Sequence, residues 1–215
     1  MNILIMGGPG AGKGTMSAKI VEKFNVNHIS TGDIFRSEIS NGTKLGLEAK
    51  SYIDEGKLVP DEITNSMVKH YLENLKDKKS GFLLDGYPRT LDQAKAFDAL
   101  SAGTDLAISI VLVMDIPFEV LAQRVTGRRL CKECGAIYHI ESNPSKQEGL
   151  CDKCGASLYQ RKDDTIESLQ VRLQEYQNQT QPVLDYYEKK GLVQTIDSNQ
   201  PIEKVWADVE KALDQ

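Results

Sequence analysis

Residues 7–15, Gly-Gly-Pro-Gly-Ala-Gly-Lys-Gly-Thr, have the make-up of a loop that cradles phosphate. Glycines let the backbone N–H groups around Gly10, Ala11, Gly12 and Gly14 curl about phosphate oxygens at a helix N-terminus, where the dipole favours negative charge. Lys13, placed as in G-x4-G-K, can reach the outer phosphates, and the Thr15 hydroxyl supplies an oxygen for a magnesium ion. The alternative is an ordinary glycine-rich turn. An apolar run before the loop, a helical pattern after it and the lysine in place favour the phosphate loop.

A second chemistry is written in four cysteines. Cys131, Cys134, Cys151 and Cys154 form C-x2-C-x16-C-x2-C, the spacing of a zinc ribbon, and Gly135 and Gly155 ease the tight turns that present paired thiolates. Four thiolates close a tetrahedron and leave no open position, so one structural zinc is expected rather than a catalytic one. Disulfides or unliganded thiols are the alternatives. None of the three histidines, His28, His70 and His139, is needed as a ligand.

The third signal is the scarcity of arginine. Only seven of the 26 basic residues are arginines: Arg36, Arg89, Arg124, Arg128, Arg129, Arg161 and Arg172. Lysine serves the solvated surface, while arginine suits fixed, bidentate phosphate contacts. Asp85, at the end of an apolar run, could hold magnesium or its waters, or could cap the next turn. Asp33 could cap a helix or contact a second magnesium-bound water. The pair Asp163 and Asp164 suits hydrogen bonding better than acid/base work, because a phosphate nucleophile is already ionised near neutral pH.

Elements must hold these groups in place. Residues 2–6, 81–85 and 107–115 are continuous apolar runs that read as strands buried on both faces. Helical patterns cover 13–24, 61–76, 90–101 and 117–126, with Pro117 at a first-turn position. A short strand at 192–196 and a helix at 201–213 complete an alternating β/α order, hence a parallel sheet with helices on both faces. Two stretches interrupt it. Residues 30–59 are helical and glycine-punctuated, and residues 127–164 are rich in cysteine, glycine and turn residues without helical periodicity.

Composition bounds the remainder. The chain has 215 residues, 40% hydrophobic, 27% charged and 7% aromatic, the balance of a globular protein. A net charge of −5 argues against a broad surface for nucleic acid or an anionic membrane. No apolar run approaches the ~18 residues of a membrane span, and the N-terminus lacks the pattern of a signal peptide. A cytoplasmic setting, with reduced thiols, is expected.

The chain resembles adenylate kinases of the long-lid, zinc-binding bacterial type, within the nucleoside monophosphate kinases. The resemblance is carried by the Gly-Lys-Gly-Thr variant at 12–15, Ser-Thr-Gly-Asp-Ile-Phe-Arg at 30–36, Leu-Val-Pro-Asp at 58–61 and Leu-Leu-Asp-Gly-Tyr-Pro-Arg-Thr at 83–90. Gly-Arg-Arg at 127–129, Arg-Lys-Asp-Asp at 161–164 and Arg172 extend it along the chain. It implies an α/β P-loop NTPase fold: a core of residues 1–29, 60–126 and 165–215, a nucleoside-monophosphate-binding insertion at 30–59 and a lid at 127–164. The implied reaction is reversible, magnesium-dependent transfer of the ATP γ-phosphoryl group to AMP, giving two ADP.

By the same resemblance, AMP would meet Thr31, Arg36, Lys57, Leu58, Val59, the turn Gly86-Tyr87-Pro88-Arg89 and Gln93. ATP would lie on residues 10–15 and meet Arg124, Arg128, Ile137, Tyr138 and Gln200. Arg161 and Arg172 would bridge the phosphates being exchanged, with Lys13, Arg89 and Arg128 sharing the catalytic charge. A monomer acting on free nucleotides is implied. The competing readings are a kinase of another nucleoside monophosphate, or a nucleotide-binding or zinc-dependent interaction module without catalysis.

Overall fold

The computed structural model describes residues 1–75, 77 and 80–214. β1 (Asn2–Gly7) leads through the glycine loop into α1 (Lys13–Phe24), followed by β2 (Asn27–Ser30), α2 (Thr31–Ser40), α3 (Lys44–Asp54) and α4 (Asp61–Glu73). Next come β3 (Phe82–Asp85), α5 (Leu91–Ser101), β4 (Ile110–Asp115) and α6 (Phe118–Thr126). Three short strands follow, β5 (Arg128–Cys131), β6 (Ile137–His139) and β7 (Leu158–Tyr159). The chain then returns through α7 (Ile166–Glu175), a π-helical stretch (Tyr176–Thr180), α8 (Gln181–Glu188), β8 (Val193–Asp197) and α9 (Ile202–Leu213).

The five strands β2-β3-β1-β4-β8, in that spatial order, form a wholly parallel sheet. Successive β1 side chains explain why it is covered on both sides. Ile3 and Ile5 join α1, α6, α7 and α9 in one core, while Leu4 and Met6 join α2, α3, α4, α5 and α8 in another. Each of these side chains, fully removed from water, contributes about 1.5–3 kcal/mol. The parallel order brings the C-terminal ends of β1, β3 and β2 together, with Ile5 opposite Asp85 and Asp85 opposite Ser30. The glycine loop, Asp85 and the start of α2 therefore share one edge of the sheet, where ligands bind in open α/β sheets.

Helix starts follow sequence chemistry. The hydroxyls of Ser30, Thr43, Thr90 and Thr165 each accept the N–H three residues on, capping α2, α3, α5 and α7. Pro60, Pro117 and Pro201 sit just ahead of α4, α6 and α9. Pro117 is thus the residue before the helix, not its first turn. α1 is different: it begins after Gly12, at φ 90, without a side-chain cap. Its first N–H groups are left for a ligand.

Three differences from the sequence reading have physical causes. β2 is an edge strand of four residues with three polar members, Asn27, His28 and Ser30, so no apolar run marks it. α7, the π-helical stretch and α8 also lie beyond the expected elements, because the polar run at 176–181 and Pro182 interrupt the helical period. β4 starts only at Ile110, since the Asn2 side chain ties the carbonyls of Asp105 and Ala107 into the preceding loop. The expected end of the helix from 61 falls on Lys76, outside the described residues, as does the final residue, Gln215.

α2 and α3 form a tightly packed helical pair within the 30–59 stretch. A Cβ at Gly46 would collide with the backbone of Glu38 and Ile39, so this close approach requires glycine. Gly46→Ala should therefore destabilise the protein by about 1–3 kcal/mol. A thermal melt should register this at about 2–4 °C per kcal/mol, and an unchanged midpoint would show that the helices are free to separate.

Candidate active site and metal centre

The loop after β1 wraps around its own lysine. Lys13 Nζ donates to the carbonyls of Gly7 and Gly8 at 2.8 and 2.9 Å. Burial pushes its pKa down to about 8; the Asp85 carboxylate opposes the shift, and Arg89, Arg172 and Arg128 add to it. Ile137 of β6 comes down on the loop, within 3.0 Å of where a Cβ on Gly14 would stand. Gly10, Ala11, Gly12 and Thr15 complete the turn into α1, with Gly7, Gly10 and Gly12 all at positive φ.

Around this lysine the expected arginines converge, and each of several is held by a carboxylate. Arg128 makes a two-point ion pair with Asp164, whose side chain is fully buried. Arg172 Nη1 pairs with Asp163 at 3.0 Å. A single oxygen of Asp33 takes both Arg36, at 2.6 Å, and Arg161, at 3.1 Å. Asp33 is thus an ion-pair partner and not a helix cap; Ser30 is the cap. Arg89 Nε donates to the Gly86 carbonyl at 2.9 Å, and its own carbonyl accepts from Thr180.

Burial, with repulsion from Arg36 and Arg128 at Arg161 and from Arg128 and Arg89 at Arg172, pushes both down to about 10, and burial also lowers Arg89. In contrast, Asp33 and Asp163 are held below the usual carboxylate range: burial opposes this, but Arg36 and Arg161 overcome it at Asp33, and Arg172 and Arg36 at Asp163.

A cavity of ≈ 60 Å³ opens between these groups, lined by Pro9, Lys13, Leu58, Arg89, Arg172 and Tyr176 among others. Gly86, Tyr87 and Pro88 also face it. Thr31 reaches the same turn, donating to the Gly86 carbonyl at 2.8 Å. Gln93 is 2% exposed, and its amide joins the Arg89 N–H to Asp61.

Other expected residues stand apart. Lys57 pairs with Glu55 at 2.7 Å, and Val59 packs into the core. Arg124 donates to the Ser198 carbonyl at 2.8 Å, and Gln200 binds the Asp197 carbonyl and Asp208. Arg129 is absorbed by the carbonyls of Thr126 and Arg128. The Tyr138 side chain is engaged at the cysteines. Alternation along β6 turns its side chain away from the loop that Ile137 faces, and its hydroxyl contacts Cys151 Sγ at 3.4 Å and accepts the Asp152 N–H at 2.8 Å.

The four cysteines meet where β5 pairs with β6 and β7. Their sulfurs all lie within 4.8 Å of one another, and three pairs stand at 3.4, 3.5 and 3.6 Å. Zn–S bonds of about 2.3 Å at tetrahedral angles set sulfurs about 3.8 Å apart, so the spacing fits one such ion. The sulfurs are shifted in opposite directions: the Ala156 N–H lowers Cys154, but contact with the Cys131 sulfur and burial outweigh it and push Cys154 up to about 12. The Tyr138 hydroxyl pulls Cys151 down to about 6 despite its burial, and the Cys134 N–H lowers Cys131. Among the described residues no histidine joins the group. His139 instead contacts the Gln123 carbonyl.

Asp33, Asp61, Asp163, Asp164 and Thr180 act here in ways that their motifs alone do not specify. The closest signal was Arg161-Lys162-Asp163-Asp164, which places acids beside a phosphate-type arginine.

Comparison with known proteins agrees with this geometry. The family model described as adenylate kinase matches residues 5–192. The adenylate kinase of Carboxydothermus hydrogenoformans is 51% identical over 213 residues, covering 99% of both chains. That of Symbiobacterium thermophilum is 49% identical over 99% of this chain and 98% of its own, and that of Clostridium acetobutylicum is 48% identical over 99% of each. No described helix is long and apolar enough to cross a membrane. With a parallel sheet, a glycine loop around a buried lysine, converging arginines and full-length identity near one half, this chain belongs to the adenylate kinase family.

Proposed function

We propose that the protein transfers the γ-phosphoryl group of ATP to AMP, reversibly, giving two ADP, and so balances adenine nucleotides. The observation that carries this reading is the ring of cations about Lys13: Arg36, Arg89, Arg128, Arg161 and Arg172 drawn from both inserted stretches and the sheet edge. Phosphoryl transfer asks for positioning and charge neutralisation and for little else from the protein.

In this reading residues 1–29, 60–126 and 165–215 are the core, 30–59 the acceptor-binding unit and 127–164 the lid. ATP occupies the loop at 10–15 between Arg128, Ile137 and the backbone of Tyr138, with Arg124 and Gln200 toward its base. AMP occupies the side of Thr31, Arg36, Leu58, residues 86–89 and Gln93, with Lys57 and Val59 contributing backbone. Arg161 and Arg172 then exchange their aspartate partners for the phosphates between the two nucleotides.

Magnesium bound with ATP would supply further neutralisation of phosphate charge, held by the oxygens of Thr15 and Asp85 directly or through water. Zinc held by Cys131, Cys134, Cys151 and Cys154 would clamp the lid, since these residues have few large apolar side chains for a core of their own. The setting this implies is a cytoplasmic monomer acting on free nucleotides, with neither nucleic acid nor membrane as partner.

A coupled assay with AMP, GMP, CMP and UMP as acceptors tests the reading. ADP should form from ATP and AMP, and Lys13→Ala should lower kcat at least ~100-fold in a folded protein, because the lost charge acts on the transition state. Turnover confined to another acceptor, or none at all, would refute it.

The depressed Lys13 pKa gives a second test. The free enzyme has lost much of this proton above pH 8, and phosphate oxygens bring it back. ATP binding should take up a proton at about pH 8.5 and weaken as pH rises further, whereas near pH 7 no such uptake is expected. Calorimetry in two buffers of different ionisation enthalpy measures it, and Lys13→Ala should abolish it.

For the metal, chelation or Cys131→Ser with Cys134→Ser should lower Tm by at least about 5 °C. Most activity should persist at temperatures where the variant stays folded. Stoichiometric metal analysis beside the melt decides this: absence of metal from carefully purified protein, or loss of turnover in a folded zinc-free form, would end the structural-zinc reading.

A further inference from the structure

The motif Leu58-Val59-Pro60-Asp61 ends in a carboxylate that the cleft does not itself use. Asp61 opens α4, and both of its oxygens are engaged. Oδ1 accepts from Gln93 Nε2 at 2.8 Å, and Oδ2 accepts from the Thr90 hydroxyl at 2.7 Å. On the other side of the same amide, Gln93 Oε1 accepts the Arg89 backbone N–H at 2.7 Å. An ionised carboxylate only accepts, and a backbone N–H only donates. The Gln93 amide therefore satisfies both neighbours in one orientation. Turned over, it would set donor against donor and acceptor against carboxylate in a position that is 2% exposed, where mispairing is costly.

We propose that Asp61 is a positioning residue that sharpens the choice of base at the acceptor site, by holding the Gln93 amide, together with the Arg89 N–H, in one donor–acceptor order. The inference rests on the acceptor-site reading above, in which Gln93 faces the base. With its two neighbours served, Gln93 keeps one Nε2 hydrogen and one Oε1 lone pair side by side. Adenine offers the complementary pair on its Watson–Crick edge, the N6 amino donor beside the N1 acceptor. Hypoxanthine and guanine put a carbonyl oxygen and a protonated ring nitrogen in those places, which inverts both contacts. Discrimination by mispaired buried polar groups is far stronger than discrimination by size.

IMP tests this directly, since it differs from AMP at those two places. Wild type and Asp61→Asn are compared for kcat and KM with AMP and with IMP at saturating ATP. Asparagine preserves size but presents either an oxygen or an amino group to Gln93, so only the Arg89 N–H still enforces the order, and Asp61→Ala, which leaves no acceptor at all, is the decisive variant. The AMP-over-IMP ratio of kcat/KM should fall at least ~10-fold, carried by KM, with KM for ATP within ~2-fold of wild type. Asp61→Ala should show the same loss, and Asp61→Glu, which restores an obligate acceptor, should recover much of the ratio.

Thr90→Val removes the helix cap and one bond to Asp61 but keeps Gln93 paired. It should lower Tm while the ratio stays within ~3-fold, separating selectivity from stability. An unchanged ratio in Asp61→Asn and Asp61→Ala, with both acceptor KM values rising together, overturns the proposal and leaves Asp61 a structural residue. Gln93→Leu separates this failure from failure of the parent reading. A ratio intact in Gln93→Leu shows that Gln93 does not face the base, so the acceptor assignment falls and the proposal with it. A ratio lost there but intact in the Asp61 variants overturns the proposal alone.

Discussion

Like charge gathered in one partly buried cleft is the constraint to which the rest of the structure answers. Lys13, Arg36, Arg89, Arg128, Arg161 and Arg172 meet in a chain whose net charge is −5. Two unit charges about 5 Å apart repel by about 3 kcal/mol at an effective dielectric of 20. Asp33, Asp163 and Asp164 offset this by direct pairing, and Asp85 by proximity. Six cations against these four carboxylates still leave an excess of positive charge. An arrangement so balanced is held together without ligand and is completed by an anionic one.

The parallel sheet makes the gathering possible. Its two cores fix β1, β3 and β2 from both faces, so the ends of these strands are rigid while the chain beyond them is free to specialise. One strand end delivers the glycine loop, the next Asp85 and the Arg89 turn, and the third the helix carrying Asp33 and Arg36. The two inserted stretches add what the sheet lacks. They bring arginines from opposite sides, and Asp33 with Arg161 is a point at which those sides touch.

Sequence made the rigid parts legible and left the reciprocal ones hidden. The runs at 2–6 and 81–85 stand out because strands buried on both faces need continuous apolar residues, and the cysteine spacing stands out because thiolate turns have a fixed geometry. The arginines could be picked out because so few exist. The long-range pairs could not, because Asp164 lies 36 residues from Arg128 and Asp33 lies 128 from Arg161. β2 lacked an apolar run, and α7 and α8 lacked a continuous period. Tyr138 shows the limit of position alone: a neighbour in sequence of Ile137, it faces the opposite side of a strand, and nothing in the motif states which side belongs to which task.

The cysteine group has an inner and an outer half. Cys131 and Cys151 are buried, whereas Cys134 and Cys154 are exposed. A metal seated among them would be sealed on one side only, so competing thiols or chelators would meet the outer pair of ligands first. The same outer thiols would be the first point of attack for an oxidant whenever the ion is away.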